Sequence, residues 1–344
     1  MTVTTRHALA AGLDLVPSRQ LIVDVVDAWF PLAPGDRALV GDGDVVEPGM
    51  PLAERSAGAQ TMIVRTAAAE AASLHPGDRW PPVEDGGSPA ASRHDGERPG
   101  EVLFAVGGRW RVAVPNRLEI VDAPVNGTVT AVDPGSGIRI RVVGRAVLGR
   151  SLLGDSVRGP LEVAAPAHAE LRASAIDVGR AGAVIVGGAH ADAEAITRAR
   201  ATGVRGIIVA SLGSSVRRDL VASEGRRRAA LHGQAPFGIL ILYGALRRPI
   251  ASAHATILKA LEGREVSLLS DPPAFVIDDA SVVLPEPAAD SVRIVGGPLS
   301  GREGRWFDVA PRRMRGAADT LAGIIDLGRD GRHSIPIGDL ERFA

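Results

Sequence analysis

Two stretches of this chain read as halves of one small β-structure, and they constrain its fold more than any other feature. Residues 43–52 run Gly-Asp-Val-Val-Glu-Pro-Gly-Met-Pro-Leu, a Gly-Asp-x-Val-x-x-Gly-x-x-Leu pattern. Residues 123–129, Ala-Pro-Val-Asn-Gly-Thr-Val, carry a complementary Ala-Pro-x-x-Gly-x-Val pattern, and residues 154–161 echo the first. Around them, short β-rich runs alternate with Pro and Gly turns, which suits a small barrel. At 344 residues the chain is long enough for two or three domains with cores of their own. Its 45% hydrophobic and 23% charged content is ordinary for a globular protein, and a net charge of -1 creates no global field for nucleic acid or acidic membrane.

The two patterns resemble those of lipoyl- and biotinyl-type carrier domains, which implies a barrel-sandwich hybrid fold. Carriers hold their cofactor through an amide to a lysine at a hairpin tip. This chain has one lysine, Lys259, far from either pattern, so no covalent biotin or lipoate is expected. The scarcity of lysine also argues against Schiff-base and lysine-base chemistry. With no cysteine, disulfides, thiolate metal sites and cysteine nucleophiles are excluded together.

Residues 1–167 are read as this barrel, interrupted by a Pro-, Gly- and Ser-rich flexible insertion at 81–100. Asp133–Gly137 predicts a hairpin connection. From 168 to 283 continuous apolar strands (183–186, 204–210, 237–243, 266–269) alternate with helical patterns at 192–202 and 252–261. That alternation predicts a parallel sheet covered on both faces. It resembles a swivelling α/β domain of the protease-associated type. Residues 284–290 form a Pro-containing linker.

Beyond the linker, residues 292–304 run from a Val-rich strand through Gly297-Pro298 to Gly301 and Gly304. The run resembles the KOW motif of SH3-like domains in elongation factors and ribosomal proteins, and implies a C-terminal SH3-like barrel over 291–344. An Arg-rich stretch at 310–320 stands where that family has a short hairpin. The expected architecture is thus multidomain β plus α/β: hybrid barrel, parallel-sheet α/β domain, SH3-like barrel.

Candidate chemistry is sparse. Gly187-Gly188, between a strand and a helix, stands where α/β folds expose amides to an anion, but lacks the remaining residues of a dinucleotide or P-loop fingerprint. A tight turn is the plainer reading. Between 198 and 264 twelve cations face three acids, an excess of nine that includes Arg217, Arg218, Arg226, Arg227 and Arg228. Such a cluster suits RNA phosphates or an acidic partner, unless the arginines meet acids of the barrel. Trp306, with Arg312, Arg313 and Arg315, is a candidate partner contact of the C-terminal domain, although tryptophans also close small cores. Asp42-Gly43-Asp44 fails as a calcium loop because Ala53 stands at its twelfth position. No histidine pair has metal-ligand spacing, no Gly-x-Ser-x-Gly elbow occurs, and Ser214-Ser215 reads as a helix start, so no metal site and no catalytic residue is assigned.

The expectation is a non-enzymatic scaffold or adaptor that binds a protein complex or RNA, with homo-oligomerisation open. The alternative is an enzyme, or an accessory subunit, that binds an anionic small molecule at the α/β domain. The apolar stretch near the start is broken by Asp14 and Pro17, and the longest apolar run, at 237–242, is far short of the ~20 residues of a membrane span. A cytoplasmic location is expected by default.

Overall fold

The computed structural model describes residues 11–32, 36–64, 75, 78–80, 100–106, 109–230, 236–278, 282–285, 287–312 and 320–343. The expected insertion at 81–100 lies outside them except for Gly100, as do Arg313 and Arg315. The described chain is mostly β, with three α-helices among the described residues and several separate cores. None of those helices is long and apolar enough to cross a membrane.

The two patterns at residues 43–52 and 123–129 meet in space. Strands Val26–Pro31, Gly137–Val142, Gly127–Asp133 and Val45–Val46 form one antiparallel sheet in that order. Val45 and Val46 pair with Thr128 and Gly127, and Gly49 donates to the Ala123 carbonyl at 2.9 Å. Alternation drives this assembly: Val26, Ala28 and Phe30 turn inward while Asp27 and Pro31 face solvent. The hairpin at Asp133–Gly137 forms as its residues predict, closed by Ser136 N donating to Asp133 O. The echo at 154–161 has a different fate. Its Val157–Val163 strand joins the sheet of the next region.

From this sheet the chain continues into an arm. Strands Pro51–Val64 and Arg109–Asp122, 14 residues each, pair along nearly their whole length, and Gly100–Val106 adds to the second. At about 3.3 Å per residue the hairpin is roughly 45 Å long.

The middle region centres on parallel strands Val157–Val163, Val184–Val186, Gly206–Ser211 and Gly238–Gly244. Helix α1 (Ala193–Ala201) follows the second of these, α2 (Ser214–Ala230) the third and α3 (Ser252–Ala260) the fourth. Helix α1 forms where the sequence predicts it. Asp192 caps it by accepting from Ala195 N at 2.6 Å, and Ala195, Ile196 and Ala199 bury one face. Gly203, at φ +84°, ends it in the left-handed conformation that glycine adopts without steric cost. One expectation needs correction. Glu265–Ser270 runs antiparallel to Val157–Val163 rather than as a fourth parallel strand. Gly263 N bonds Leu161 O and Leu161 N bonds Arg264 O, each at 2.8 Å, so the chain re-enters beside the middle of that strand and runs back along it.

The C-terminal region is a five-stranded antiparallel sheet. Strands Ser291–Ile294, Glu303–Arg312, Thr320–Asp326 and Arg332–Pro336 follow in order, and Leu340–Phe343 returns beside the first. Ser18–Arg19 adds a sixth, parallel to Leu340–Phe343, and Leu13 and Val16 enter the same core as Trp306. Residues 13–19 therefore belong with the last sheet, which no local pattern indicates.

Candidate functional site

Adjacent parallel strands can send their following helices to opposite faces of a sheet, which leaves a crevice at their carboxyl ends. Here Ile207, Val209, Ile239 and Ile241 pack in one core with residues of α1 and α2, whereas Ile208, Leu240 and Leu242 share the other core with Ile257 and Leu258 of α3. Strands Gly206–Ser211 and Gly238–Gly244 thus send α2 and α3 to opposite faces, the arrangement by which α/β sheets make a crevice between the first turns of two such helices.

The α2 half is open. Leu212 N donates to Gly244 O at 2.9 Å, and Arg217 N closes the first turn onto Gly213 O. Ser214, Ser215, Arg217 and Arg218 are exposed, and the first turn carries no acid. His190 stands beside Gly213 with its Nδ1 3.2 Å from Ser211 O. A polar, cationic rim therefore surrounds amides at the positive end of a helix dipole.

The α3 half is filled by the C-terminal region. Glu303 accepts from Ser252 N at 2.9 and 3.1 Å through its two carboxylate oxygens, and from the Ser252 hydroxyl. Gly301 packs on Pro249, with only 3.0 Å between a Cβ built there and the proline ring, and Arg248 donates to Val295 O. Arg293 is 2% exposed. It donates to Pro249 O at 2.8 Å, lies 3.6 Å from Glu341 and sits 4.0 Å over the Tyr243 ring. The Tyr243 hydroxyl accepts from Ala251 N and lies 3.1 Å from His254 Nδ1. Burial pushes Tyr243 up to about 12, against the pull of Arg293, and drives His254 down to about 3 with help from Arg19 and Arg293. Both are neutral at pH 7, and one hydrogen bond joins them. This pair is a sealed structural contact.

The expected site residues distribute unevenly. Gly187 N is taken by Ile208 O and Ala189 N by Ala169 O, while a Cβ on Gly188 would strike the carbonyls of Pro166 and Ala169. Close backbone packing thus accounts for Gly187 and Gly188. Arg226, Arg227 and Arg228 lie in the second half of α2, with side chains outside the description. Gly297, at φ +70°, and Pro298 form the expected turn, with Ser300 N on Gly297 O. Gly304 pairs with Val292. Trp306 is 5% exposed and its indole donates to Ala11 O, so it is a core residue rather than a partner contact. Arg312 ends its strand, with its side chain outside the description.

Of the other cations between 198 and 264, Arg198 donates to Ile176 O, Arg200 lies over Phe237 and Arg247 approaches Glu170 at 3.7 Å. Sequence reasoning missed Arg19 and Arg293, and counted Arg248 only within the arginine excess of residues 198–264. Only Arg293 left a signal, a charge inside the apolar run 292–295. Among the described residues no His, Asp or Glu cluster could hold a metal ion. An open groove of about 420 Å³ beside α1 is lined by Glu170, Arg172, Asp192 and Glu194, of which Asp192 already serves as the cap. No protein-family model matches this chain and no curated protein matches it. The functional reading therefore rests on these residues.

Proposed function

We propose that the protein is a scaffold that binds RNA, built from a barrel-sandwich hybrid, a swivelling α/β domain and a KOW-like SH3 barrel. Support for the hybrid is the direct pairing of residues 45–46 with 127–128. Support for the SH3-like barrel is the five-strand order in which Leu340–Phe343 returns beside Ser291–Ile294 after a 3₁₀ turn at Ile337–Asp339. The observation that carries the reading is the division of the middle arginines. Arg198, Arg200, Arg247 and Arg248 are engaged inside the chain, whereas Arg217 and Arg218 are exposed beside the open half of the crevice. Exposed cations of this kind bind polyanions by releasing condensed counterions, which makes binding fall steeply with salt.

Fluorescence anisotropy with a labelled RNA across a salt series tests this. Arg217→Gln with Arg218→Gln should shallow the salt slope and leave thermal stability nearly unchanged. An absence of RNA binding at low salt sinks the reading. A second reading, an anionic small molecule at the same place, draws on Ser214, Ser215 and His190 at the mouth of the crevice. Calorimetric titration with inorganic phosphate separates it from the first.

A further inference from the structure

The arm has two unlike faces. Val64, Val102, Trp110 and Val112 are buried on one, each at most 7% exposed. On the other, Phe104 and Ile63 both pair with Arg111, so the three side chains form one row across three strands. Phe104 is 44% and Ile63 56% exposed, and Arg109 and Arg111 are exposed beside them. The Arg111 guanidinium lies 5.9 Å from the Phe104 ring centre, in cation–π range. Nearer the barrel the arm's charges are paired, Arg37 with Glu54 and Arg55 with Asp36. Among the described residues no carboxylate pairs with Arg109 or Arg111.

We propose that this face is a second RNA contact, at which one unpaired base stacks on Phe104 while Arg109 and Arg111 hold the flanking phosphates. The inference rests on the RNA-binding reading above and names the single-stranded element that the RNA must present. Charge complementarity selects the occupant. Two exposed arginines without a carboxylate partner among the described residues share the face of an exposed aromatic ring, and every base offers a π-face to such a ring. With one ring in the row the site takes one base and is not a platform for a long strand. Ile63 would cover the edge of the stacked base.

The test compares a labelled single-stranded oligouridine with a blunt RNA duplex of equal length, by anisotropy on the full chain. The wild type should prefer the single strand. Phe104→Ala should weaken single-strand binding about tenfold and leave the duplex unaffected, as expected for loss of one stacked base. Arg109→Gln with Arg111→Gln should reduce the single-strand salt slope by about 1.4, at about 0.7 per phosphate contact. Equal affinities of wild type and Phe104→Ala for the single strand, with Arg217→Gln and Arg218→Gln still impaired, would overturn the arm contact and spare the α2 site. Failure of the wild type to bind either RNA would overturn both. Binding to polyglutamate as tight as to RNA, indifferent to Phe104→Ala, would also overturn it and point to an acidic protein partner.

Discussion

The two halves of the crevice start from the same backbone opportunity and end differently. Each offers the first turn of a helix at the carboxyl end of a parallel strand, where unpaired amides and the helix dipole favour a negative charge. At α3 that charge is internal. Glu303 accepts from Ser252 N, and the buried Arg293 ties the same loop to the C-terminal sheet. At α2 no acid stands in the first turn, and Arg217 and Arg218 face solvent. One first turn docks the C-terminal sheet, and the other faces solvent. The contrast teaches that an anion-favouring helix end is not by itself a binding site. What distinguishes the two is whether a carboxylate of the same chain reaches the amides first.

Four perturbations would break or sharpen that contrast. The largest effect should come from Arg293→Ala, which leaves Glu341 without its buried partner and empties the space over Tyr243. A loss of about 3–5 kcal/mol is expected in chemical denaturation, as for other broken buried pairs. A loss below about 1 kcal/mol would mean that Arg293 does not hold the closed half together.

A smaller loss should follow Glu303→Ala, which removes the acceptor at Ser252 N. The expectation is about 1 kcal/mol, typical of a helix-cap deletion, with Glu303→Gln in between. If the variant then binds one more phosphate than the wild type, the closed half has been converted into a copy of the open one.

Third is a pH effect confined to the closed half. His254 is held down to about 3 against an ordinary 6.5, so between those values the unfolded chain binds a proton that the folded chain does not. Its contribution is therefore intact above pH 6.5 and is lost as pH falls toward 3. Tyr243, raised to about 12, adds stability that is intact below pH 10 and is lost as pH rises through 12. From pH 6.5 to 5, above the range where most carboxylates titrate, the unfolding midpoint of the wild type should drop. The midpoint of His254→Asn should change less over that range, and parallel profiles would remove His254 as the cause.

The smallest effect belongs to the open half. Arg217→Gln with Arg218→Gln should alter stability by no more than about 0.5 kcal/mol, since exposed charges contribute little to folding. A larger change in a thermal melt would show that these arginines too are intramolecular partners.

Much of the local structure was legible in the residues. Asp192, the spacing of Ala195, Ile196 and Ala199, and Gly203 define α1 because capping, amphipathicity and a left-handed stop are all short-range properties. The hairpin at Asp133–Gly137 is legible for the same reason. Gly187 and Gly188 were harder, since a glycine needed for phosphate approach and one needed for close packing have the same sequence signature. The second use becomes visible only with Pro166, Ala169 and Val209 in place. Trp306 was ambiguous until Leu13, Val16 and the Ala11 carbonyl were seen around it.

By itself, the sequence determined the β-rich character, the α/β alternation of the middle region, the lack of a carrier lysine at either barrel pattern and the local excess of arginine. These follow from composition, periodicity and turn chemistry, which act over a few residues. Tertiary structure alone decided which arginines are free and which are bound, that Glu303 reaches Ser252 across 51 positions, and that Ser18–Arg19 completes the last sheet. The physical reason is separation. A buried charge or a shared strand edge is selected by partners that lie tens to hundreds of residues away, and no local pattern encodes their meeting.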